Sequence, residues 1–136
     1  MAKVKYALSI KQPWATLLVH GLKAIEVRRW ATDRRGRILI HAAQIPDDRP
    51  EAWKLVPKAL RETAQLGGGI IGTAELIDCL AYKTLEAFVK DRERHLNDPS
   101  WFDKPVLYGF VFGNAAPVAF YRYSGWMRLF PVHKVK

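Results

Sequence analysis

A mixed α/β fold, mainly β, is what this sequence predicts: a small, strongly curved sheet or barrel with helices packed across its side and opening. Three observations point there. Five to seven short segments carry strand-like patterns, two or three carry helical spacing, and the two kinds follow no regular β-α-β rhythm. That order argues against a doubly wound parallel sheet and for a sheet curled around its own core. Residues 1–136 are expected to form a single domain, because 136 residues, 49% of them apolar, are enough for one core.

The first strand is expected in "KVKYALSI", where Val4, Tyr6 and Ala7 give imperfect alternation. Pro13 suits the start of a short helix, "PWATLLVHG", in which Trp14, Leu17 and Leu18 share a face. Gly21 ends that helix as a C-cap, where positive φ costs glycine nothing. "AIEVRRW" reads as a second strand, "ATDRRGR" as a hairpin turn and "RILIHAA" as a third strand. In "DDRPEAWKLVPKALRETAQL", Asp48 is a candidate cap and Trp53, Val56 and Leu60 fall near helical spacing, interrupted by Pro57. Glycines 67–69 read as a turn, and Gly72 inside "IIGTAELIDCL" marks a bulge or a close backbone approach. "TLEAFVKDRERH" is an amphipathic helix capped by Thr84, with Leu85, Phe88 and Val89 facing inward. "VLYGFVFGNAAPVAFYRYSG" is strand-rich, and Pro117 confines it to an edge or a turn. "WMRLFPV" is the closing strand.

Charge narrows the partners. The net charge is +9, and up to Arg37 nine basic residues face only Glu26 and Asp33. Such a concentration favours a polyanion, and RNA or single-stranded nucleic acid is the expected partner. Arg29, Arg34 and Arg35 would supply a basic surface. No apolar run is long enough to span a membrane, and no signal peptide is read at the start. The lone Cys79 reads as a small hydrophobe and permits no internal disulfide. The expectation is a cytoplasmic monomer without membrane contact, with a protein partner left open. The four histidines lack zinc-site spacing, and phosphate-cradling glycine motifs and the serine-hydrolase elbow are missing, so no metal and no cofactor are expected.

Chemistry concentrates in "SIKQPWATLLVHGLKAIEVRRW". Period-two alternation puts Ile25, Val27 and Arg29 on one face, and Glu26, Arg28 and Trp30 on the other, with Lys23 at the strand entrance. Two readings fit. One is a surface salt bridge of little energetic weight. The other is a cleft in which Lys23 and Arg28 meet phosphate or a carbonyl oxygen, and Trp14 or Trp30 offers a stacking plane. There Glu26 would accept from an exocyclic amine, take a proton or hold Lys23 and Arg28 in position, and Gln12 would read a planar amide-like edge. His41, at the end of "RILIH", is either a satisfied structural histidine or a group reaching the cleft. Tyr108 heads the aromatic stripe with Phe110 and Phe112 and would project its hydroxyl at the barrel mouth. Asn114 reads as a turn residue.

Gln12-Pro13-Trp14, Gly21-x-Lys23-x-x-Glu26-x-Arg28, Trp30, and Gly36 leading into His41-Ala42 together resemble the signature of the ASCH domain (activating signal cointegrator homology) family, within the PUA-like fold group. "YGFVFGNAAPV" and "GWMRLFPV" are similar to its terminal strands. The resemblance implies a PUA-like β-barrel whose cleft floor holds Lys23, Glu26 and Arg28, with the asparagine at 114 near it. It also implies a role in RNA metabolism or its regulation. One bacterial branch hydrolyses N4-acetylcytidine, and ribonuclease activity is attributed to another. The amidohydrolase branch carries a threonine where this chain has Glu26, so threonine chemistry does not transfer. Hydrolysis here would use water, with Glu26 as base and Lys23 or Arg28 stabilising the oxyanion. Two cations beside a carboxylate work against its acting as a base unless burial offsets them, which places a binding module ahead of a hydrolase.

Overall fold

The computed structural model describes residues 5–133; Lys3 and Val4 of the expected first strand lie outside them. Six strands form one sheet: β1 (Lys5–Ile10), β2 (Ile25–Arg28), β3 (Gly36–Ala42), β4 (Gly69–Tyr82), β5 (Leu107–Arg122) and β6 (Leu129–Val132). Their order is β2-β5-β4-β3-β1-β6, a curled half-barrel. β1 runs parallel to β3, and the other neighbours are antiparallel. β4 and β5 are long, at 14 and 16 residues. Three register shifts along their pairing let so long a ribbon bend.

The hairpin expected at 31–37 is corrected. β2 pairs with β5 and β3 with β1 and β4, so the two strands flanking that segment are not neighbours. The closing strand begins at Leu129, leaving Trp126 and Met127 in the connection before it. It pairs with β1 but not with β2, so the sheet stays open between its two end strands. Pro117 sits where β5 has run past the short β2, so its missing N–H breaks no second ladder.

Helix α1 (Trp14–Val19) packs against β1, β3, β4 and β5 with all six residues buried. Its end is fixed by Gly21 at φ 78°, with Gly21 N–H donating to Leu18 O and Leu22 N–H to Leu17 O. Leu8, Ile10, Ile38, Ile40, Leu76, Phe110 and Phe112 close the main core around it. Gly72 permits the close approach: a Cβ there would lie 2.6 Å from Val19 Cγ1. On the other face of the sheet Ala7, Leu39, Ile70, Phe130 and Val132 make a smaller core.

The helical spacing after Asp47, interrupted at Pro57, yields α2 (Pro50–Trp53) before the proline and only two 3-10 turns after it. Asp47, not Asp48, accepts from the Arg49 N–H ahead of it. The helix after Thr84 splits into α3 (Leu85–Lys90) and α4 (Arg92–His95). Thr84 Oγ1 caps α3 by accepting from Ala87 N–H. Of the expected inward stripe only Phe88 is buried, because a helix this short touches the sheet along one residue.

Candidate nucleic-acid cleft

The two faces of β2 serve different masters. Ile25 is buried and Val27 packs toward Tyr82, Phe88 and Leu107 at the cleft's edge, whereas Glu26 and Arg28 point into a cleft of about 640 Å³. Its walls include Lys11, Trp14, Trp30, Asp47, Arg49, Asn97, Trp101 and Asp103.

At the floor, Glu26 lies between two cations: Oε1 is 3.6 Å from Lys23 Nζ and Oε2 is 3.1 Å from Arg28 Nη2. Lys23 is buried and donates to the carbonyl of His95 at 2.5 Å. That carbonyl is presented because His95 is itself buried, its Nε2 donating to Phe88 O while Nδ1 accepts from Asn97 N–H. Lys23 Nζ also stands 4.8 Å from the centroid of the Trp14 ring. Burial pushes the Lys23 ammonium down to about 8, with Glu26 opposing the shift. Arg28 Nη2 donates to Ser9 O at 2.7 Å, and among the described residues its buried Nε has no partner. Two cations around one carboxylate leave the floor with an unbalanced positive charge.

The walls are held by a second cluster. Trp14 Nε1 donates to Asp47 Oδ2 at 2.8 Å, and Asp47 pairs with Arg49 at 2.6 Å. Burial alone would raise the Asp47 carboxyl, but hydrogen bonds from Arg49 and Trp14 outweigh it and hold it at about 2. The Arg49 guanidinium lies 3.7 Å over the ring of Trp101, whose edge meets Trp14. Arg29 pairs with Asp103 at the rim. On the opposite side Trp30 packs edge-on against Phe110, and Arg128 lies 5.2 Å over its ring.

Lys23, Glu26, Arg28, Trp14 and Trp30 therefore meet in one cleft. Four other candidates do not join them. Gln12 is buried with its amide spent on the backbone: Oε1 accepts from Thr16 N–H and Nε2 donates to Leu66 O. Asn114 sits at positive φ on β5, donating to Glu75, away from the cleft. Tyr108 lies opposite Arg28 in the β2–β5 register and packs half-buried on the main core, outside the cleft wall. His41 shares the face of Leu39, stacks edge-on against Phe130 and satisfies both ring nitrogens, with Ser9 Oγ at 2.9 Å and Tyr123 O at 2.7 Å. Trp14 is a wall and not a stacking plane, since its ring is buried against Lys23 and Trp101. Arg34 lies over Tyr6, and Arg35 leans on Thr32 and Asp78, both apart from the cleft lining.

Sequence reasoning missed Asp47, Arg49, Asn97 and Trp101. A carboxylate and a guanidinium two residues apart, and a tryptophan in the polar stretch "NDPSWFD", were the signals available. No group of three or more His, Cys, Asp or Glu among the described residues is placed to hold a metal ion. No described helix is long and apolar enough to cross a membrane.

The sequence model of the ASCH domain matches residues 8–127. Activating signal cointegrator 1 of Homo sapiens is 33% identical over 105 residues, covering 71% of this chain and 18% of that protein. The Mus musculus protein of the same name is 35% identical over 94 residues, covering 60% and 15%. The chain thus spans less than a fifth of these relatives' length. The crystal structure of ASCH from Zymomonas mobilis superposes with a TM-score of 0.68 at 16% identity, over 96% of this chain and 88% of that one. A point mutant of that protein gives 0.68 at 15% identity, over 97% and 92%.

Proposed function

The chain belongs to the ASCH domain family, and on that premise we propose that it binds RNA or single-stranded nucleic acid, taking an unpaired base and its phosphate into the Lys23–Glu26–Arg28 cleft. The single observation that carries this reading is the unbalanced positive floor beneath tryptophan walls. The cleft lies within the size range of pockets that enclose small ligands. Arg28 is the phosphate contact: its guanidinium is fixed by Glu26 and Ser9 and needs no further ordering. Glu26, held in place from both sides, accepts from the exocyclic amine of a base. A base enters by displacing a guanidinium from the ring face of Trp30 or Trp101 and taking its place in the stack.

Titration of labelled single-stranded RNA, single-stranded DNA and duplex tests this. We expect single strands to bind at low salt, to weaken steeply as salt rises, and to lose about tenfold or more in affinity with Arg28→Ala. No binding of any of the three at low salt removes the proposal.

One observation favours a second reading, hydrolysis of a modified nucleoside such as N4-acetylcytidine. Lys23, drawn down to about 8, is suited to proton transfer near neutrality or to stabilising an oxyanion. Turnover abolished by both Lys23→Ala and Glu26→Gln in folded protein would establish it, and turnover unaffected by either would refute this site. A setting in RNA metabolism is compatible with both readings.

A further inference from the structure

A second groove, of about 520 Å³, runs beside the cleft and shares Ser9, Lys11 and Ala43 with it as a common wall. Trp126, Met127 and Ile45 also line it, exposed by 73%, 76% and 71%. One such side chain would need no explanation, but three along one groove mark a contact surface. Lys11 and Arg122 also line it, and no carboxylate does.

The segment bearing Trp126 is anchored. His41 Nε2 donates to Tyr123 O, and Ser9 Oγ donates to His41 Nδ1, so the buried imidazole ties the start of this segment to β1. Gly125 lies so close on the imidazole that a Cβ would come within 2.6 Å of His41 Cε1. The orienting role of His41 is therefore toward this groove, and the large exposed ring of Trp126 is carried on a braced turn.

We propose that this groove is a second nucleotide subsite: the strand leaving the cleft crosses Lys11, which meets the intervening phosphate, and lays its next base on Trp126 while Arg122 meets the phosphate beyond. The inference rests on the reading of the cleft as a base site. An acid-free groove with two cations and exposed apolar surface fits a polyanion carrying planar apolar groups. Continuity through the shared wall makes that polyanion the same strand.

The test measures Kd for cytidine monophosphate and for an eight-nucleotide oligocytidylate with the wild type and with Trp126→Ala, Trp126→Phe, Trp126→Leu, Lys11→Ala and Arg28→Ala. The oligomer should bind more tightly than the monomer. Trp126→Ala should weaken the oligomer about tenfold, the scale of one base stacked on an aromatic ring, and leave the monomer unchanged. Trp126→Phe should keep most of the affinity, and Lys11→Ala should flatten the logarithmic salt dependence by about 0.7. Oligomer affinity unchanged by Trp126→Ala but reduced by Arg28→Ala overturns the second subsite and leaves the cleft reading intact. Loss with Trp126→Ala that Trp126→Leu restores overturns stacking in favour of apolar docking. Binding of neither ligand overturns both readings together.

Discussion

Lys23 Nζ and the carbonyl oxygen of His95, 72 positions apart in sequence, meet at 2.5 Å beneath Glu26, with the lysine side chain only 1% exposed. A lysine is rarely placed so deep without a partner. The contact ties the segment after α1 to the end of α4 and aims the ammonium at the cleft floor.

Lys23 should titrate near 8, well below its ordinary 10.5, because burial disfavours its charged form. Between those values the unfolded chain binds more protons than the folded one, so stability from this group rises with pH, by about 3 kcal/mol across the window. The Cε chemical shift of Lys23 followed from pH 6 to 11 checks the first statement. The wild-type unfolding free energy should rise relative to Lys23→Met over the same window, and titration at the ordinary value would contradict both.

Asp47 behaves in the opposite sense. Its folded value of about 2 lies below the ordinary 3.8, so the stability it contributes is present above 3.8 and lost as pH falls toward 2. Asp47→Asn should cost about 2 kcal/mol at pH 6 and almost nothing at pH 2, as read by urea unfolding. A penalty independent of pH would show that the ion pair with Arg49 is not its source.

Gly72→Ala should destabilise by about 1–3 kcal/mol, since the added methyl meets Val19 Cγ1 and Cγ2 at 2.6 Å and Ala116 O at 2.7 Å. Thermal or chemical unfolding measures it. A neutral substitution would mean that α1 can lift off β4 at little cost.

Local signals were legible in the sequence: the Gly21 helix end, the Thr84 cap and the tight position at Gly72 each follow from a few consecutive residues. The β2–β3 hairpin was misread because strand pairing is decided by distant partners, and β5 outcompetes β3 for the edge of β2. Glu26 and Arg28 group because the period of one strand aligns them, and Lys23 joins them because it stands at that strand's entrance. Asp47, Arg49 and Trp101 come from irregular segments, and no periodicity announces where those lie. The amide of Gln12 suggests a ligand contact and the family resemblance sets Asn114 near the cleft, but the folded backbone and Glu75 engage those amides instead. His41 was placed on the correct strand face, but that face looks onto Phe130 and the second groove.

Amide and indole chemical-shift mapping of ¹⁵N-labelled protein titrated with a short single-stranded RNA locates where a single strand docks. The prediction is saturable shifts at the Trp14 and Trp30 indole N–H groups and at the Glu26 and Arg28 amides. Shifts confined to the Arg34–Arg35 segment, with the cleft signals unmoved at saturation, would contradict it.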